Sequence, residues 1–93
     1  MEEIHVPGTK KDKKVRLFAL STCMWCKKTK KFLEDSNVDF TFIFVDLLQD
    51  QDRETVLKEV ERYNPKVSFP TMVVENETVV GFDEKRIRQL LGI

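Results

Sequence analysis

The run Phe40-Thr41-Phe42-Ile43-Phe44-Val45 constrains the fold of this chain more than any other stretch. Alternate residues of an extended strand face opposite sides, which puts three phenylalanines on one face and Thr41, Ile43 and Val45 on the other. A strand that is apolar on both faces needs cover on both, so it belongs to a sheet with helices packed above and below. Val15-Arg16-Leu17-Phe18-Ala19-Leu20, short, apolar and closed by Ser21-Thr22, reads as the first strand of that sheet.

From Cys23 onward the pattern turns helical. Cys26, Thr29, Phe32 and Leu33 recur at three- and four-residue intervals, Lys27, Lys28, Lys30 and Lys31 cover the remaining surface, and Asn37 marks the stop. Val56, Leu57, Val60 and Tyr63 mark a second helix, entered through the acidic and polar run Gln49 to Glu54 and ended by Asn64-Pro65. Thr71 to Val74 and Thr78 to Val80, joined by Glu75-Asn76-Glu77, predict an antiparallel hairpin. Ile87, Leu90 and Leu91 predict a last short helix, with Asp83 as candidate N-cap and Gly92 past its end. The order βαβαββα predicts an α/β fold, a four-stranded mixed sheet sandwiched between helices.

Ninety-three residues make one domain. With 41% hydrophobic and 34% charged residues and few glycines and prolines, the composition is that of an ordered soluble protein. Residues 1–14 mix Pro7-Gly8 with a lysine cluster and show no periodicity, which predicts a flexible basic N-terminal arm that residues 15–93 can fold without. Formal net charge is zero, although residues 1–31 carry nine positive and three negative charges. That balance predicts no general attraction to nucleic acid or to a membrane surface. No apolar stretch approaches the roughly 20 residues of a membrane span, and Met1-Glu2-Glu3 is no signal-peptide start. These features predict a cytoplasmic protein, and the absence of heptads predicts a monomer.

Cys23-Met24-Trp25-Cys26 directly follows a predicted strand and opens a predicted helix, the setting in which a Cys-x-x-Cys pair acts as a thiol–disulfide couple. A helix N-terminus favours a thiolate, and Lys27 and Lys30 would add positive potential, so Cys23 is predicted to be the activated nucleophile. Cys26, one turn further in, is predicted to resolve the mixed disulfide. Zinc needs about four ligands, and His5 in the arm is the one further candidate. A c-type haem site needs His where Lys27 stands. A structural disulfide and a pair of inert buried thiols are the remaining alternatives.

From Val15 to Ile93 the sequence resembles the glutaredoxin family, including its hydrogen-donor branch for ribonucleotide reductase, the NrdH-redoxins, all of which have the thioredoxin fold. The resemblance rests on Thr22-Cys23-Met24-Trp25-Cys26 between strand and helix, on Ser68-Phe69-Pro70-Thr71, and on Val80-Gly81-Phe82-Asp83-Glu84. It implies a cis Pro70 and a Phe69 backbone that pairs with an extended substrate. It also implies substrate or glutathione contacts from Trp25, Lys27, Gly81, Phe82 and Asp83. Gly81 would allow close backbone approach, while Asp83 serves either a glutathione amino group or the helix cap. The implied activity is reduction of protein disulfides by a dithiol pair with no tightly bound cofactor. Glutathione, another low-molecular-weight thiol or a thioredoxin-type reductase would regenerate the pair, and ribonucleotide reductase is one candidate acceptor. Alternatives are an iron–sulfur cluster carrier and a redox-inert interaction module. Leu20 stands where the family usually places lysine, Val80-Gly81 where it places Gly-Gly, and Met24-Trp25 where it places Pro-Tyr.

Overall fold

A computed structural model describes residues 3–93; Met1 and Glu2, the start of the expected arm, lie outside the described residues. The elements are β1 (Ile4–Val6), β2 (Val15–Ala19), α1 (Met24–Asp35), β3 (Phe40–Phe44), a 3-10 turn (Val45–Leu47), α2 (Asp50–Tyr63), β4 (Thr71–Val74), β5 (Glu77–Val80) and α3 (Glu84–Leu91). The strands form one sheet in the order β1-β3-β2-β4-β5. β2 and β3 run parallel with Leu17 opposite Phe42, whereas β4 is antiparallel to β2 and β5 to β4.

The pleat sorts the apolar residues as the sequence predicts. Val15, Leu17, Ala19, Phe40 and Phe42 face one side and join Cys26 and Leu33 of α1 and Ile87 of α3 in one cluster. Phe18, Ile43 and Val45 face the other side and meet Val56 and Val60 of α2. Full burial of a side chain such as Leu33 or Ile87 contributes roughly 1.5–3 kcal/mol. The sheet is held from both faces, and its central strand β2 leads from its C-terminal end into the turn before Cys23.

Two expectations are corrected. The sheet has five strands, because residues 4–6 of the segment read as an arm pair antiparallel with β3, Ile4 opposite Phe42 and Val6 opposite Phe40. Three residues are too few to show a period of two, but the free edge of β3 offers them a ladder of unpaired peptide groups. The attachment continues beyond the strand: Asp39 accepts from His5 Nε2 at 2.8 Å and from the Gly8 N–H at 3.1 Å, and the Lys10 N–H reaches the Asn37 carbonyl at 2.9 Å. Gly8 passes so close to the segment leading into β3 that a Cβ would lie 2.5 Å from the carbonyl carbon of Val38. The second correction is small. β5 begins at Glu77, so the hairpin turn is Glu75-Asn76, with Glu75 at φ 54°.

Candidate active site

Leu20 to Thr22 carry the chain from β2 into α1, and the Cys23 N–H closes this turn on the Leu20 carbonyl at 3.2 Å. Cys23 is the N-cap of α1, and its Sγ accepts the backbone N–H of Cys26 at 3.2 Å. The helix therefore begins on a sulfur atom where many begin on a hydroxyl or carboxylate. Cys23 is partly exposed, whereas Cys26 is 2% exposed and part of the core beneath α1. Burial, joined by the hydrogen bond with Cys23 and by the charges of Cys23 and Asp46, pushes the Cys26 thiol up from its ordinary 9.0 to about 12. One thiol of the pair meets solvent and the other is held in reserve.

Asp46, in the 3-10 turn after β3, fixes this loop from the neighbouring strand. Its carboxylate accepts the Ser21 N–H at 2.8 Å and the Ser21 hydroxyl, while Arg53 of α2 donates to its backbone carbonyl at 3.1 Å. The Ser21 contacts hold the Asp46 carboxyl below its usual range.

The Phe69–Pro70 peptide is cis, as the resemblance implies. The Phe69 main chain makes no hydrogen bond to any described residue, while the Pro70 carbonyl accepts the Gly81 N–H at 2.8 Å. Phe69 and Cys23 both pack against the cluster beneath α1. A buried polar clasp shapes this loop. Asn64 Nδ2 donates to the Ser68 carbonyl at 3.2 Å, to Ser68 Oγ at 3.0 Å and to Thr71 Oγ1 at 3.0 Å, and the Thr71 hydroxyl donates to the same Ser68 carbonyl at 2.7 Å. Asn64, 4% exposed, thereby does more than end α2.

Of the residues singled out in the sequence, Cys23, Trp25, Cys26 and Phe82 share one end of α1. Trp25 is 55% exposed and stacks on Phe82 with centroids 6.3 Å apart. Lys27 is exposed and gives its N–H to the Cys23 carbonyl at 3.1 Å. The Lys30 ammonium lies 4.9 Å from the centre of the Phe42 ring and 3.7 Å from Glu34. Gly81 has left-handed backbone. Its φ of 78° is one that glycine adopts freely, and apart from its chain neighbours no protein atom lies within 4 Å of where a Cβ would stand. Asp83 caps α3 by accepting the Arg86 N–H at 3.1 Å. The parts that Asp46, Ser21, Asn64 and Thr71 play in shaping the site escaped the sequence reading, since their contacts join residues with no periodic relation.

A mixed sheet that delivers a Cys-x-x-Cys pair from its central strand into a helix, beside a loop with cis-proline, defines a dithiol protein of the thioredoxin fold. The glutaredoxin family model matches residues 15–79, and the chain belongs to that family. Methanoredoxin from Methanosarcina acetivorans is 49% identical with a TM-score of 0.86, over 89% of this chain and 88% of that one. A glutaredoxin from Methanosarcina mazei is 47% identical with a TM-score of 0.90, over 100% of this chain and 90% of that one. A glutaredoxin-like 8.6 kDa protein in the rubredoxin operon of Clostridium pasteurianum is 26% identical over 77 residues, 83% of this chain and 96% of that protein. Family, fold and the Cys23–Cys26 pair make this chain a thiol oxidoreductase. Among the described residues, no helix is long and apolar enough to cross a membrane.

Proposed function

We propose that the protein reduces protein disulfides through a dithiol cycle. Cys23 Sγ attacks one sulfur of the substrate disulfide and expels the other as a thiolate, leaving a mixed disulfide on Cys23. Cys26 then attacks Cys23 Sγ, loses its proton to water, and releases the second substrate thiol. The substrate gains two electrons and the Cys23–Cys26 pair becomes a disulfide. Glutathione, another low-molecular-weight thiol or a thioredoxin-type reductase returns the two electrons.

The observation that carries this reading is the asymmetry of the pair: a partly exposed Cys23 receives the N–H of a buried Cys26. The asymmetry also orders the steps. Burial is the largest cause of the raised Cys26 value, but the next includes its hydrogen bond with Cys23, and the Cys23 charge adds to it. Once Cys23 is bound in a mixed disulfide those two contributions vanish, so Cys26 loses its proton more readily when it is needed. Protein disulfides fit the free Phe69 main chain, which can pair with an extended segment. Ribonucleotide reductase is one acceptor within this class.

Turnover of a protein disulfide by the Cys23→Ser and Cys26→Ser variants tests the cycle. Cys23→Ser is expected to abolish reduction, and Cys26→Ser to accumulate a covalent adduct on Cys23 visible by mass spectrometry. Undiminished reduction by Cys23→Ser would overturn the proposal.

A further inference from the structure

Of the five large apolar side chains that stand exposed among the described residues, four lie at the Cys23 end of the sheet. Met24 and Trp25 sit in the first turn of α1, Leu47 follows β3, and Val80 ends β5. From Trp25 the aromatic surface continues inward. Its ring stacks on Phe82 at 6.3 Å, and Phe82 meets the edge of Phe32 at 5.8 Å. Cations close both ends of the row: Lys28 Nζ lies 4.6 Å from the centre of the Trp25 ring, and the Arg88 guanidinium 5.1 Å from that of Phe32.

The charge along this row is one-sided where it adjoins the nucleophile. The first turn of α1 has no acidic residue. Lys30 and Lys31 are paired with Glu34 and Asp35 one turn on, but Lys27 and Lys28 form no ion pair with a described residue. The carboxylates on the α3 side are engaged, Asp83 by the Arg86 N–H at 3.1 Å and Glu84 by Arg88 Nε at 3.0 Å. An exposed indole under the unpaired Lys28 ammonium, with unpaired Lys27 on the same turn of α1, matches a partner that brings carboxylates and an apolar side chain together.

We propose that Trp25, Phe82, Lys27 and Lys28 form a docking surface for an acidic, apolar segment of the substrate protein next to its disulfide. The inference rests on the disulfide-reductase reading and names the kind of substrate that site accepts. Trp25 lies two residues from Cys23 on the same helical turn, and an extended chain advances about 3.3–3.6 Å per residue. The carboxylates therefore belong close in sequence to the attacked cysteine.

The test uses two peptides with the same internal disulfide, one flanked by Asp and Glu and the other by Lys. Their serine-for-cysteine counterparts report docking alone through Trp25, the sole tryptophan of the chain. At low salt the intact protein is expected to reduce the acidic peptide with about tenfold higher kcat/KM. The preference is expected to shrink as salt rises, and to vanish or reverse in K27E/K28E. The acidic serine peptide is expected to shift Trp25 emission saturably and the basic one not. Equal kcat/KM for both peptides, or an unchanged ratio in K27E/K28E, overturns the docking surface while leaving the reductase reading intact. A rate preference without a Trp25 response overturns it too, by placing the selectivity elsewhere. An acid-selective Trp25 response with neither peptide reduced overturns the reductase reading and keeps the surface; neither response overturns both.

Discussion

Ser21 is held by a single carboxylate from the turn that follows the neighbouring strand: Asp46 accepts its N–H at 2.8 Å and its hydroxyl as well. Because Ser21 lies two residues before Cys23, this contact ties the position of Cys23 to the end of β3. The Ser21 contacts lower the Asp46 carboxyl from its ordinary 3.8. A depressed carboxyl stabilises the fold above its unfolded value, and the contribution is lost as pH falls through its folded value. Asp46→Asn is therefore expected to lower Tm at pH 7 while leaving a shallower decline below about pH 4. Thermal melts of both proteins from pH 7 to pH 2 check this; parallel curves would contradict it.

The alkaline limb belongs to Cys26, raised from 9.0 to about 12 chiefly by burial. A raised thiol contributes stability that is complete below its unfolded value and is lost as pH rises toward its folded value. The reduced protein is expected to lose stability between about pH 9 and 12 more steeply than Cys26→Ala does. Denaturant titrations of both at pH 8, 9.5 and 11 read the difference. An equal loss in the two proteins would remove Cys26 as its source.

Asn64→Ala deletes the donor that joins Ser68 to Thr71 beneath the loop carrying Phe69. Leaving buried polar groups without a partner costs about 1–3 kcal/mol. For a domain of this size each kcal/mol lowers Tm by roughly 4–8 °C. If the clasp also sets the Phe69 main chain for an extended substrate, KM for a protein disulfide is expected to rise more than KM for a small one. Equal changes in both KM values would confine Asn64 to a role in stability.

Removal of residues 1–12 is expected to lower Tm, in contrast to the dispensable arm that the sequence suggests. The deletion takes away β1, the Asp39 contacts with His5 and Gly8, and the Lys10 bonds to Asn37 and Asp39. It also bares the edge of β3, an invitation to pairing between chains. Melting and light scattering of the truncated protein test both effects; an unchanged Tm would show that the strand adds nothing to the domain.

The sequence by itself determined what depends on neighbours along the chain. Two-sided apolarity of Phe40 to Val45 placed that strand between layers, the three- and four-residue spacing behind Cys26 set α1, and the position of Cys23 at the strand–helix junction marked the reactive pair. The hairpin and the Asp83 cap were likewise local. Tertiary structure decided what joins distant residues. Ser21 meets Asp46 across 25 positions and His5 meets Asp39 across 34. Asn64 is closer to its partners in sequence, yet the role of its amide depends on the shape of the loop between them. The Lys30 ammonium lies over the Phe42 ring of β3, a contact that helical spacing alone does not reveal. Periodicity records which face of an element is apolar, because burial repeats with the backbone. A single hydrogen bond, a three-residue edge strand or the direction of a long side chain repeats nothing, and is settled only when the packed elements bring its partner within reach.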